Sequence, residues 1–305
     1  MGTSYTVTLV NPPVAVEQES LYAEIEQATV AVNQWMSNYL PNSEISRLNR
    51  APINQWLPLS KETYSVIATS QLISEKTAGS FDITVSPLVN LWGFGPDKHE
   101  QLPTTAEIDH AREQVGWQQI QLNANTLSLL KKAPVTLDLS AIAKGFGVDY
   151  LCALLDRYDI DNYLVEIGGE IRVKGHNASH QPWRIGIETP TLTRSGVQQA
   201  VAITNKAIAT SGDYRNYYEK DGVRYSHTID PTTGRPVEHT VVSVTVIGDS
   251  ATQADAWATA FNVMGPDKAM ELAERYHLAL YLLTYEQSQY QSRYSSTFSQ
   301  YLEEQ

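Results

Sequence analysis

Apolar residues recur at helical spacing through Leu21, Ile25, Ala28, Val32, Trp35 and Tyr39, predicting an amphipathic helix that stops where Pro41 forbids continuation. Ahead of it, the alternation of Tyr5, Val7 and Leu9 predicts a strand. A second helix is expected from Ser60, a capping residue, to Gly79. A third, short one starts at Thr104, where Glu107 completes a capping box, and ends at Gly116. The pattern then turns to strands. Residues 120–130 read as a hairpin about Asn123-Ala124-Asn125, 135–139 as a strand feeding a helix from 140 to about 158, and 163–174 as a hairpin about Gly168-Gly169. Segments 183–188, 200–204, 214–219 and 223–229 are expected to continue the sheet. The last third reads strand, helix, helix, strand, with 278–284 closing it and the Ser, Gln and Tyr rich tail after Gln287 as an edge strand or ordered coil. No repeat, low-complexity tract or long linker interrupts this order.

Composition narrows the picture. A chain of 305 residues that is 42% hydrophobic can bury a sizeable core. A formal net charge of -12, with no run of Lys and Arg, argues against a general nucleic-acid binder, so any phosphate must be gripped locally. The single cysteine, Cys152, falls at an apolar position of the fourth expected helix and reads as a small core residue. No apolar run is long enough to span a membrane, and the start Met1-Gly2-Thr3-Ser4-Tyr5 lacks the basic and apolar regions of a signal peptide, which leaves an upstream export segment open.

Five places could carry chemistry. The turn Ser226-His227-Thr228-Ile229-Asp230-Pro231-Thr232-Thr233-Gly234-Arg235-Pro236 concentrates groups that move protons or grip phosphate, whereas a folding turn needs only the Asp-Pro and the Gly. Downstream, Asp255 and Thr259 stand at i and i+4 of a helix, with both oxygens on one face, where a hard cation or plain solvent would suit them. The aromatic, Gly and Pro rich block from Phe81 to Pro96 reads as a buried loop, but its Asp82 needs a partner there: a backbone amide, a base edge or a cation. Asp138 and Ser140 precede a helix start with Lys144 one turn inside, an ordinary cap or an anion site. Glu166-Ile167-Gly168-Gly169-Glu170 is a hairpin turn whose glycines also let a ligand approach the backbone.

Taken together, these segments, with Met1-Gly2-Thr3, residues 36–39, the stretch Ser43-Glu44-Ile45-Ser46-Arg47-Leu48-Asn49, and Thr210-Ser211-Gly212-Asp213-Tyr214-Arg215-Asn216, resemble the ApbE family of FAD:protein FMN transferases in order and spacing along almost the whole chain. The resemblance implies an α+β fold of two intimately packed lobes, mixed sheets flanked by helices, with the flavin between them, and one domain over 1–305 whose lobe boundary is not legible. It implies transfer of the FMN half of FAD to a threonine hydroxyl of an acceptor protein, releasing AMP, with Mg²⁺ at the pyrophosphate. The flavin would lie against Met1, Tyr39, Ser80, Phe81, Asp82, Asp138, Lys144 and Ile229, and the metal would be held by Asp255, Thr259 and the carbonyl of Ala141. Some members carry a second Asp in the metal helix where this chain has Ala258, one carboxylate fewer at a site that Mg²⁺ can fill with water. His227 is the candidate base for the acceptor hydroxyl, while Asp230 and Arg235 read as the frame of its turn. The resemblance further implies a lipoprotein anchored outside the cytoplasm, in the periplasm at the inner membrane, acting on membrane redox subunits. Two other readings stay open: hydrolysis of FAD to FMN and AMP, and a carrier that binds FAD without transferring anything.

Overall fold

The structure is a computed structural model that describes residues 2–95, 102–188, 196–212, 217–220, 223–287 and 289–302. Its elements begin with β1 (Tyr5–Leu9), α1 (Gln18–Met36), α2 (Glu44–Arg50), β2 (Trp56–Pro58), α3 (Lys61–Lys76), α4 (Ser86–Leu91) and α5 (Thr105–Arg112). They continue with β3 (Ile120–Asn123), β4 (Ser128–Lys131), α6 (Ala143–Asp156), β5 (Tyr163–Ile167), β6 (Glu170–Lys174), β7 (Trp183–Glu188), β8 (Val197–Ile203) and β9 (Ala207–Gly212). The last are β10 (Tyr217–Lys220), β11 (Val223–Ser226), β12 (Ile229–Asp230), β13 (Arg235–Pro236), β14 (Val241–Gly248), α7 (Ala251–Met264), α8 (Pro266–Arg275), β15 (Ala279–Glu286) and β16 (Gln289–Tyr294). The chain divides into two compact units, the first formed by 1–30, 144–215 and 239–305, the second by 31–143 and 216–238.

The first unit is built on a seven-stranded sheet in the order β1-β5-β6-β9-β14-β15-β16, every neighbouring pair antiparallel. Helical residues Leu21, Ile25, Val148, Leu151, Cys152 and Leu155 form one core with Tyr163, Val165 and Ile167 of β5. The alternate residues of the sheet, among them Val173, Ile208 and Tyr281, form a second core with the β7–β8 hairpin and Phe298. A sheet covered on both faces explains why β14 is buried along most of its length rather than at alternate positions. Joining β5 to β6 takes only Gly168 and Gly169, at φ +57° and +101°, a two-residue turn that residues with a β-carbon resist. In the second unit, β2, β4 and β3 form a small sheet, and Leu88, Trp92, Ile108, Ala111 and Ile229 bring α4 and α5 onto one cluster.

Most of the expected elements are present, and the departures have physical causes. Residues 135–139 alternate buried and half-buried as a strand would, yet pair with no strand among the described residues: Asn49 supplies the ladder instead, its Oδ1 accepting from Leu137 N at 2.7 Å and its Nδ2 donating to Leu137 O at 2.9 Å. The helix expected from 140 starts at Ala143. The Phe81 block is not all loop, because α4 forms within it with Pro87 in its first turn, where a missing N–H costs nothing. Its last residue, Pro96, lies outside the described residues, as do Met1 and 213–216. Segments 183–188, 200–204 and 223–229 do not continue the large sheet but pair among themselves or with neighbours, as does β10, the described part of 214–219. The strand that does join it, β9, is Ala-Ile-Ala-Thr-Ser-Gly, too poor in bulky residues to stand out. Residues 278–284 are interior, and the exposed strand β16 of the tail forms the edge.

Candidate functional site

In the first unit, α6 and α7 approach so closely that a β-carbon on Gly145 would stand 2.2 Å from Ala251 O and 2.8 Å from Asp255 Cβ. Four residues further along α6, Asp149 locks the start of α7, accepting from Ala251 N at 3.1 Å, Thr252 N at 2.9 Å, and the hydroxyls of Ser250 and Thr252 at 2.7 Å. A carboxylate at a helix N-terminus satisfies orphan amides and complements the helix dipole. Arg172 of β6 holds the same carboxylate at 2.6 Å. These contacts set the height and rotation of α7, and so the position of Asp255.

Asp255 is not on a solvated face. The helix is buried along most of its length, and Asp255 is 5% exposed within it, with Thr259 half-buried one turn on. Its Oδ2 accepts from Gly145 N at 2.9 Å, while Oδ1 stands 3.6 Å from Lys144 Nζ. The same ammonium lies 2.6 Å from Oε1 of Glu170, the first residue of β6, which is 2% exposed. Burial raises the Asp255 carboxyl above its ordinary range against the pull of Lys144 and the Gly145 amide. Burial, then the charge of Asp255, pushes Glu170 up to about 8 in spite of Lys144. Burial alone would lower the Lys144 ammonium, but Asp255 and Glu170 outweigh it and hold it above the usual lysine value. Ionised together, the two carboxylates would exceed the single ammonium by one negative charge, and among the described residues no hydrogen-bond partner reaches the enclosed Oε2 of Glu170. A divalent cation would offset that excess.

The second unit carries the remaining candidates. Ser80, Phe81 and Asp82 follow α3 on a turn through Gly79 at φ +87°. Asp82 finds its partners in amides and a hydroxyl: Thr84 N at 2.8 Å, Thr84 Oγ1 at 2.7 Å and Trp117 N at 2.9 Å. Burial raises its carboxyl, and these donors draw it part of the way back. Asp138 is joined to this loop by its amide, which donates to Ile83 O at 2.7 Å, and its carboxylate closes a local turn on Ser140 N at 2.9 Å rather than capping α6, which starts later. Ala141 lies half-buried in that connection. Tyr39 is 77% exposed just beyond α1, and Ile229 is a buried core residue.

The turn around His227 is framed as its composition suggests. Asp230 Oδ1 accepts from Thr232 N and Oγ1 at 2.8 and 2.7 Å, Trp92 Nε1 donates to Gly234 O at 2.8 Å, and Arg112 donates to Thr232 O at 2.7 Å. Gly234, at φ +72°, sits where a β-carbon would come within 2.8 Å of Arg112 and Ile108. Arg235 contributes its backbone, paired with Asp230. His227 meets the edge of Phe94, whose neighbours Tyr218, Tyr225 and Trp92 continue an aromatic row with centroid spacings of 5.2, 5.2 and 5.8 Å. Sequence reading singles out Lys144 and Asp255 separately, for the flavin and for the metal, and the structure brings the two together; it gives no role to Glu170 or Asp149, whose only signal is an acidic residue beside a Gly-Gly turn and another one turn after Gly145.

The mixed α+β fold is one found in flavin transferases. The ApbE family pattern matches residues 1–282, and the chain belongs to the ApbE family. It is 42% identical over 304 residues to the FAD:protein FMN transferase of Vibrio cholerae serotype O1, covering 99% of this chain and 90% of that protein. The FAD:protein FMN transferase of Escherichia coli strain K12 is 39% identical over 308 residues, covering 99% and 87%. Among solved structures, the flavin transferase ApbE from Vibrio cholerae matches with a TM-score of 0.92 at 41% identity, covering 99% of this chain and 96% of that one. The apo form of Pseudomonas stutzeri flavinyl transferase ApbE matches at 0.91 and 36% identity, covering 99% and 94%.

Proposed function

We infer that the protein is an FAD:protein FMN transferase that moves FMN from FAD to a threonine hydroxyl of an acceptor protein and releases AMP. Relatives of that activity match along 99% of the chain, and the observation that carries the chemistry is the pair of buried carboxylates, Glu170 and Asp255, that share the single half-buried ammonium of Lys144 and would exceed it by one charge when both are ionised. Bound by Asp255, Thr259 and the carbonyl of Ala141, Mg²⁺ would supply charge neutralisation at the pyrophosphate. Ala258 offers no further carboxylate, which suits an ion that keeps several waters.

Phosphoryl transfer asks the protein for positioning and electrostatics more than for covalent help. The threonine oxygen forms a bond to the FMN phosphorus, the bond from that phosphorus to the bridging oxygen breaks, and AMP leaves with the bridging oxygen. The threonine proton passes to His227. Lys144 faces the growing charge on the phosphate oxygens, its ammonium kept protonated by its two carboxylate neighbours. Tyr39, Ser80, Phe81, Asp82, Asp138 and Ile229 are the residues we assign to the flavin nucleotide, together with Met1; the family resemblance supports each. It also supports work outside the cytoplasm, on redox subunits of the membrane, by a lipid-anchored protein.

Incubation with FAD, Mg²⁺ and a threonine-containing acceptor tests the reading by intact mass and AMP release. Acceptor gaining one FMN with stoichiometric AMP is the expected result. AMP without a mass gain would make the protein a hydrolase, and bound FAD without AMP a carrier.

A further inference from the structure

Of the three charged groups in the buried cluster, Glu170 is the one without an assigned task. It is 2% exposed, it holds Lys144 Nζ at 2.6 Å through Oε1, and Oε2 is enclosed with no partner among the described residues. The Gly-Gly turn that delivers it also confines the lysine, since a β-carbon on Gly168 would stand 3.3 Å from Lys144 Cδ. Asp255 has one oxygen committed, Oδ2 to Gly145 N, and one at 3.6 Å from the ammonium. A half-buried ammonium, on a side chain 32% exposed, settles on the carboxylate that best replaces the hydration it has lost. With Glu170 charged, that carboxylate is Glu170. Without it, Asp255 is the remaining carboxylate paired with Lys144 among the described residues, and Oδ1 would be occupied by the lysine.

Resting on the reading that Asp255 serves a divalent cation, we propose that Glu170 is a positioning residue that holds Lys144 off Asp255 and so keeps Oδ1 open for the ion. The lysine and the metal compete for one oxygen, and Glu170 decides the competition in favour of the metal. Its effect therefore runs through Lys144 and vanishes where the lysine is absent.

The experiment measures the Mg²⁺ concentration that half-saturates the rise in melting temperature, and separately the one that half-saturates AMP release, in the full chain with FAD. Glu170→Gln should raise both by about tenfold, the equivalent of one strong charge-assisted contact. In a Lys144→Met background, Glu170→Gln should cause no such increase in the melting-temperature response. Unchanged Mg²⁺ dependence in Glu170→Gln, or the same increase in both backgrounds, overturns the proposal, because a merely structural glutamate would act with or without the lysine. Should Glu170→Gln fail to fold, Lys144→Met alone decides. Removal of the competitor should leave the Mg²⁺ response at least as tight as in the wild type, and a weaker response overturns the proposal. A wild type that responds to Mg²⁺, with the response abolished by Asp255→Asn but untouched by Glu170→Gln, sinks this inference alone; a wild type indifferent to Mg²⁺ sinks the metal reading with it.

Discussion

Asp255 shows how much one residue depends on where it is put. On an exposed helix face an Asp and Thr one turn apart are unremarkable; at 5% exposure beside an ammonium, the same carboxylate costs free energy unless something compensates it. Asp255→Asn keeps an acceptor for Gly145 N but removes the charge, so Mg²⁺-dependent AMP release should be lost while circular dichroism shows an intact fold. Normal turnover in that variant would take Asp255 out of the metal site. His227→Ala should bind FAD and lower transfer by a factor of about 10² to 10⁴ at saturating FAD, the usual contribution of a general base; a wild-type rate would make His227 structural. Cys152 illustrates the opposite case, a reactive atom silenced by packing. Burial pushes its thiol from 9.0 up to about 12, and only the thiolate reacts. Labelling of the folded protein at pH 8 should therefore be about a thousandfold slower than for an ordinary thiol and should accelerate about tenfold per pH unit below 12. Rapid native-state colour with a thiol reagent at pH 8 would contradict the buried assignment.

At the scale of elements, the site depends on the packing of α6 on α7. Neither helix announces this, for Gly145 lies in the first turn of an otherwise ordinary helix, where glycine costs helix stability. Its reason is the 2.2 Å that a β-carbon would leave to Ala251 O. Gly145→Ala should destabilise the protein by roughly 1 to 3 kcal/mol, the range for overpacking against a backbone that can shift only slightly, and should weaken Mg²⁺ dependence together with stability, because Asp255 moves with α7. Chemical denaturation alongside the Mg²⁺ titration checks both, and an unchanged midpoint would refute the close approach. The β5–β6 turn works in the same way. Two glycines at positive φ set the register that pairs Ile167 with Glu170, and that register turns the glutamate inward.

At the scale of the whole molecule, the chain passes between its two units four times, once inside α1 and once at the first residue of α6. Neither unit is one continuous stretch, so 1–143 and 144–305 made separately should each fail to show a cooperative thermal transition, whereas the full chain shows one; a folded half would refute this. The same threading explains what was legible. Elements with local signals were readable from the residues alone: the capping box at Thr104 and Glu107, the Ser60 cap, the Gly-Gly hairpin, the buried Cys152 and the i, i+4 pair Asp255 and Thr259. Family membership was readable too, because order and spacing of short motifs survive without any knowledge of contacts. Tertiary structure alone decided the rest. The small-residue strand β9 joins the centre of the sheet only because β6 and β14 flank it, and 135–139 forgo a strand partner because Asn49, 88 positions before Leu137, takes that place. Glu170 becomes a partner of Lys144 only when the hairpin folds over α6, and the physical reason is general: a carboxylate's cost and its task are set by burial and by the charges around it, which a linear sequence does not contain.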